Sequence, residues 1–182
     1  MTTLERTRSA LLVIDVQNDV VQNAHQRDEV VATIARALAR ARASATPVFW
    51  VQHSDDYLSI DSYGWQIVPE LVPRTNEPIV RKLYRSSFED TDLEELLAKA
   101  DVGHLFICGA ETNNCVRSTS HAALERGYDV TLLHDAHTTT GYEWNDHELA
   151  ASQIIDEQNS SFWRYHLPGR SASISATDDA DL

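Results

Sequence analysis

The stretch Gly103-His104-Leu105-Phe106-Ile107-Cys108-Gly109-Ala110-Glu111-Thr112-Asn113-Asn114-Cys115-Val116-Arg117-Ser118-Thr119 decides how the chain is read. Its apolar run stops at Gly109, and a short polar turn follows. A helix then runs from about residue 114 to 126, stopped by Gly127, with Cys115 at its start. The unpaired N–H groups and positive dipole end of a helix favour thiolate over thiol, so Cys115 is expected to be nucleophilic. Cys108, inside the apolar run, reads as a small buried hydrophobe.

Working outward, Ser9 to Asp15 is a second continuous apolar run ended by an acid, the pattern of a strand buried on both faces. Further strands are predicted over 48–51, 78–82 and 129–134, and a short sixth strand over 162–166. Helices are predicted over 27–43, over 92–100 behind the capping box Thr91-Asp92-Leu93-Glu94, and from Asn145-Asp146-His147-Glu148 to about Gln158. Residues 53–78 form the longest irregular stretch, a length that is more often functional than idle. Strands alternating with helices give a single α/β domain over 1–170 with a parallel sheet. The acidic segment 171–182 reads as a disordered tail.

With 182 residues, 42% hydrophobic and 24% charged, the chain is long enough for one well-filled core. No apolar run approaches the ~20 residues of a membrane span, and the N-terminal run is too short for a signal segment. The protein therefore reads as cytoplasmic. A formal charge of −13 argues against nucleic acid or an anionic membrane as partner. Two cysteines make no disulfide framework, the eight histidines show no HExxH pattern, and no GxGxxG turn follows the first strand.

In parallel sheets ligands bind beyond the carboxyl ends of the strands, where strand order reverses. Asp15, Lys82 and Cys115 all fall where strands run out. Lys82 favours the thiolate, Asp15 can take the thiol proton and return it to a leaving amine, and N–H groups of the turn can face an oxyanion. Together they specify nucleophilic acyl transfer to sulfur.

These residues resemble the isochorismatase-like cysteine hydrolases, the superfamily of nicotinamidases, N-carbamoylsarcosine amidases and ureidoacrylate amidohydrolases. The likeness spans roughly residues 9–140. It is carried by Leu12-Val13-Ile14-Asp15-Val16-Gln17-Asn18-Asp19, by Lys82 with Ser86-Ser87-Phe88, and by Gly109-Ala110-Glu111-Thr112-Asn113-Asn114-Cys115-Val116. It continues through Gly127-Tyr128-Asp129-Val130 and Asp135-Ala136-His137-Thr138. The resemblance implies a three-layer α/β/α domain with a six-stranded parallel sheet. It implies a catalytic triad of Asp15, Lys82 and Cys115, and a cis Ala110–Glu111 peptide that aims the N–H groups of Glu111 and Cys115 into an oxyanion hole.

Gln17, Trp65, Phe88 and Thr112 are the candidate pocket residues, and Val20 stands where many members carry Phe, which alters a pocket wall. Arg85 is a candidate for a substrate carboxylate. Tyr63, Tyr142 and Trp144 are candidates for the pocket or a subunit contact. His53 with Asp55 and Asp56 departs from the Asp-x-His metal motif of nicotinamidases, so no metal and no cofactor are expected. Retention of Cys115 favours hydrolysis of an amide or ureido C–N bond in a small molecule, by a homo-oligomer. The alternative is a catalytically silent binding or assembly module of the same fold.

Overall fold

The computed structural model describes residues 5–182; the first four residues of the N-terminal segment read above lie outside them. Chain order is β1 (Arg8–Ile14), α1 (Asn18–Val21), α2 (Arg27–Ala43), β2 (Val48–His53), β3 (Ile79–Lys82), α3 (Leu93–Lys99), β4 (Val102–Ala110), a π-turn (Thr112–Val116), α4 (Arg117–Glu125), β5 (Asp129–Thr138), β6 (Tyr142–Trp144), β7 (His147–Leu149), α5 (Ala151–Trp163) and β8 (Ala172–Ser175). Six strands form one parallel sheet in the order β3-β2-β1-β4-β5-β8.

The continuous apolar runs have a direct cause: both faces of the sheet are covered, so each strand buries alternate residues against different helices. Along β1, Leu11 and Val13 pack with Val31, Ile34 and Leu38 of α2. Ala10, Leu12 and Ile14 pack with Leu93 and Leu97 of α3, Ala123 of α4 and Phe162 of α5. The result is three layers, α/β/α. Among the described residues no helix is long and apolar enough to cross a membrane.

Chain order reverses between β1 and β4, which opens a crevice beyond their carboxyl ends. Gly109 sits opposite Ile14 there with φ +121°, and a Cβ on it would lie 2.0 Å from the Ile14 carbonyl oxygen. Only glycine permits that approach.

Three sequence expectations are corrected. Phe162, expected in a sixth strand, is the fully buried anchor of α5; the sixth strand is Ala172–Ser175, a short polar edge strand with no apolar run to announce it. Asn145 and Asp146 do not cap a helix. Both take positive φ (50° and 62°) and join β6 to β7 as a two-residue hairpin turn, the conformation Asn and Asp tolerate best. The segment 171–182 is built into the fold. Thr177 is fully buried and donates from its N and Oγ1 to Asp135 Oδ1 at 2.9 and 2.8 Å, Arg40 donates to the Thr177 and Ala180 carbonyls, and Ala180 and Leu182 join the α2 side of the core. The acidic residues masked apolar ones interleaved among them.

Candidate active site

Asp15 follows the last residue of β1 and takes φ +48°, a left-handed turn that directs its side chain across the crevice. Lys82 ends β3. Cys115 lies in the π-turn after β4, which is closed by hydrogen bonds from Asn114 N and Val116 N to the Glu111 carbonyl, both 3.1 Å. Single π-turns of this kind recur at functional sites. The Ala110–Glu111 peptide is cis.

Three strand ends thus bring the three side chains together. Lys82 Nζ stands 2.7 Å from Asp15 Oδ2 as an ion pair and donates to Cys115 Sγ at 3.2 Å. Lys82 and Asp15 are almost wholly buried, at 2% and 1% exposure. Burial pushes the Asp15 carboxyl above the usual carboxylate range, with Lys82 opposing. Burial and then the Asp15 carboxylate push the Cys115 thiol up to about 12, with Lys82 pulling the other way. Desolvation thus works against the thiolate that the helix start and the ammonium favour, and the Asp15 carboxylate lies across the same ammonium.

The thiol opens into a cavity of about 560 Å³ between the strand ends. Asp19, Val20 and Asn23 line it from the start of α1 and the segment after it; His53, Asp55, Tyr57 and Leu58 from the end of β2 and the loop that follows; and Arg85 from beyond β3. Glu111, Asn114 and Thr140 close the side of the π-turn. Val20 and Arg85 are both among the residues that line it.

Gln17, Trp65, Phe88 and Thr112 do not line this cavity. Gln17 is buried and holds the end of β2 with both ends of its amide, accepting from His53 N at 2.8 Å and donating to the His53 and Trp65 carbonyls. Trp65 lies under the Arg81 guanidinium, and Phe88 packs against Tyr128. Thr112 Oγ1 donates to His137 Nδ1 at 2.9 Å, while His137 Nε2 donates to Asn159 Oδ1 at 2.8 Å. Burial holds His137 neutral, with its pKa down to about 4. All four support the walls instead of forming them, since a buried polar side chain must spend its hydrogen bonds locally. Tyr63, Tyr142 and Trp144 are exposed, outside the cavity.

Sequence reasoning had left His53 aside except as a failed metal ligand. Its Nδ1 lies 3.3 Å from Lys82 Nζ and its Nε2 lies 3.3 Å from Asp55 Oδ2. The pair offers two donors, and among the described residues no group of three His, Cys, Asp or Glu side chains is placed to hold a metal ion. Cys108 is buried, its thiol pushed up by desolvation and donating to the Leu12 carbonyl.

The isochorismatase domain family profile matches residues 9–159. The chain belongs to the isochorismatase family. It is 36% identical over 140 residues to a streptothricin hydrolase of Streptomyces noursei, covering 74% of this chain and 56% of that protein, so it spans about half the length of that relative. It is 28% identical over 178 residues to the ureidoacrylate amidohydrolase of Enterobacter sp. strain 638, covering 75% and 77%. Among solved structures, a putative isochorismatase from Burkholderia xenovorans LB400 superposes with a TM-score of 0.86 at 32% identity, covering 96% of this chain and 86% of the other. The chain is thus an isochorismatase-family protein with hydrolase and amidohydrolase relatives.

Proposed function

We propose that the protein hydrolyses a carbon–nitrogen bond of a small amide or ureido compound through a thioester on Cys115. The observation that carries this reading is a half-buried thiol 3.2 Å from a buried ammonium that is ion-paired to a buried carboxylate, opening into a cavity of small-molecule size. The names of the relatives support it: one hydrolyses streptothricin and another is an amidohydrolase.

In the proposed sequence, Asp15 takes the Cys115 proton as sulfur attacks the carbonyl carbon. The raised pKa of Asp15 suits a group that must hold a proton for part of the cycle. Lys82 keeps Asp15 in place and offsets the negative charge as it moves from carboxylate to sulfur. The Glu111 and Cys115 N–H groups receive the oxyanion. Collapse breaks the C–N bond, and Asp15 returns its proton to the departing nitrogen. Water, deprotonated by Asp15, then splits the thioester, and the proton passes back to sulfur as the acid leaves.

A panel of amides and ureides, read by ammonia release and by mass spectrometry, tests this. Cys115→Ala and Cys115→Ser are expected to fall to background on any substrate found, and wild-type protein quenched during turnover should carry the acyl group on Cys115. Turnover surviving in Cys115→Ala would overturn the mechanism.

A further inference from the structure

The hairpin of β6 and β7 stands out from the fold. All six of its strand residues are exposed, as is every residue from Gly141 to Leu149. A two-stranded hairpin with nothing packed on it is marginal in water. Its register also sets Glu143 directly opposite Glu148 on one face, and like charges in that position repel. The other face holds Tyr142 opposite Leu149 and Trp144 opposite His147, with Trp144 67% exposed. One face lacks a cation, and the other lacks an apolar cover.

Both lie on the far side of the crevice. The run Ile79-Val80-Arg81-Lys82-Leu83-Tyr84-Arg85 has three cations and no acid, in a chain with 15 Lys and Arg against 28 Asp and Glu. Lys82 is buried against Asp15, whereas Arg81 and Arg85 are exposed, with Leu83 and Tyr84 exposed between them. Among the described residues, Glu143, Glu148, Arg81 and Arg85 enter no ion pair. β3 is also an edge strand of the sheet, the kind of surface a second chain can join.

We propose that the β6–β7 hairpin is a docking arm that seats on the Arg81 to Arg85 segment of a second copy of this chain. None of this rests on the hydrolase reading.

The occupant is a second copy because both halves of the contact belong to one chain, which holds them apart. The hairpin follows β5 and the basic segment ends β3, four strand spacings away in the order β3-β2-β1-β4-β5, or about 19 Å. A two-fold rotation that brings two crevice faces together sets the hairpin of each copy on the basic segment of the other. Such a contact is isologous and closes at two chains. Charge selects the place: a chain of formal charge −13 repels its own copy unless acid meets base. Here two carboxylates meet two guanidiniums, and the ring of Trp144 meets Leu83 and Tyr84. Arg85 also lines the catalytic cavity, so the arm of one protomer stands at the rim of its partner's cavity.

The test is the mass of the full chain in solution, by light scattering on a sizing column at about 50 µM chain, where a stable contact is populated. The wild type is expected at the mass of two chains. Glu143→Arg with Glu148→Arg sets four guanidiniums together at each contact, and Arg81→Glu with Arg85→Glu sets four carboxylates together. Each double variant alone is expected at the mass of one chain, with its fold checked by circular dichroism. Mixed in equal amounts, the two double variants are expected to return to two chains, because every contact in the mixed pair again joins acid to base. Trp144→Ser tests the apolar half and should raise the dissociation constant about tenfold or more.

Loss of mass in each folded double variant, with recovery on mixing, supports the proposal. A wild type at the mass of one chain, a double variant that keeps the wild-type mass, or a mixture that does not recover overturns it. If the Arg81 and Arg85 variant fails to fold, the hairpin variant decides alone, an unchanged mass there counting against the proposal. Because mass needs no substrate, failure here is distinct from failure of the hydrolase reading, which would appear as a panel without turnover.

Discussion

Among the described residues two carboxylates are buried beside a cation, and they behave in opposite ways. Glu77, just before β3, accepts from Arg42 Nε and Nη2 at 2.7 and 2.8 Å, from Trp50 Nε1 at 2.8 Å and from Arg74 N at 2.9 Å. Burial raises its carboxyl, but the hydrogen bonds from Arg42, then Arg74 and Trp50, override it and bring the pKa to about 2. Asp15, at the carboxyl end of the sheet, has the Lys82 ammonium and a thiol and no backbone N–H, and burial wins. Saturating a buried carboxylate with donors makes a fixed charge that staples α2 to the loop before β3. Leaving one short of donors makes a group ready to take a proton. Position relative to the crevice decides which is useful.

The largest effect should come from Asp15→Asn, which keeps the shape but removes the proton acceptor. A turnover loss on the order of 10³-fold is expected on any substrate of the panel, with the fold intact by circular dichroism. A loss below tenfold would leave Asp15 no closer to catalysis than Glu77. Conversely, Glu77→Ala strands the Arg42 guanidinium and the buried Trp50 N–H, and should cost about 3 kcal/mol in urea unfolding, while Cys115 alkylates at its usual rate. An altered alkylation rate in the folded variant would mean that the Glu77 network and the thiol are coupled through the sheet.

The pH dependence separates the pair by sign. Glu77 has a folded pKa below its unfolded value of 4.5, so its contribution is complete above pH 4.5 and lost as the pH falls toward about 2. Asp15 has a folded pKa above its unfolded value of 3.8, so the folded state keeps a proton that the unfolded chain has released, and stability falls as pH rises through that window. Glu77→Gln should therefore flatten the acid limb of a stability profile measured from pH 2 to 5, and an unchanged limb would discount the Glu77 network. The smallest effect is expected at Asp135, where Thr177 supplies two neutral donors. Thr177→Ala removes one of them and should cost about 1 kcal/mol in the same denaturation assay.

Much of the sheet was legible because its strands are buried on both faces and so read as apolar runs: Ser9 to Asp15 and Leu105 to Cys108 needed no context. Edge strand Ala172–Ser175 was not, since a half-buried polar strand of four residues leaves no periodic signal. Asn145-Asp146 failed for a related reason, because the same two residues serve a helix cap or a hairpin turn and only the neighbouring chain decides. At the site, Asp15, Lys82 and Cys115 could be marked because strand ends project toward one crevice. Other wall residues, among them Asn23, Tyr57, Leu58 and Thr140, are loop residues whose types carry no such mark.

The sequence by itself determined the α/β domain, the parallel sheet and the three strand-end side chains, because hydrophobic periodicity and strand direction are local properties of the chain. Tertiary structure alone decided the surroundings of Cys115. A thiol beside an ammonium at a helix start reads as favouring thiolate, but the desolvation that pushes its pKa up comes from elements far apart in sequence closing over it. The same closure places His53 Nδ1, from β2, within 3.3 Å of Lys82 Nζ, from β3.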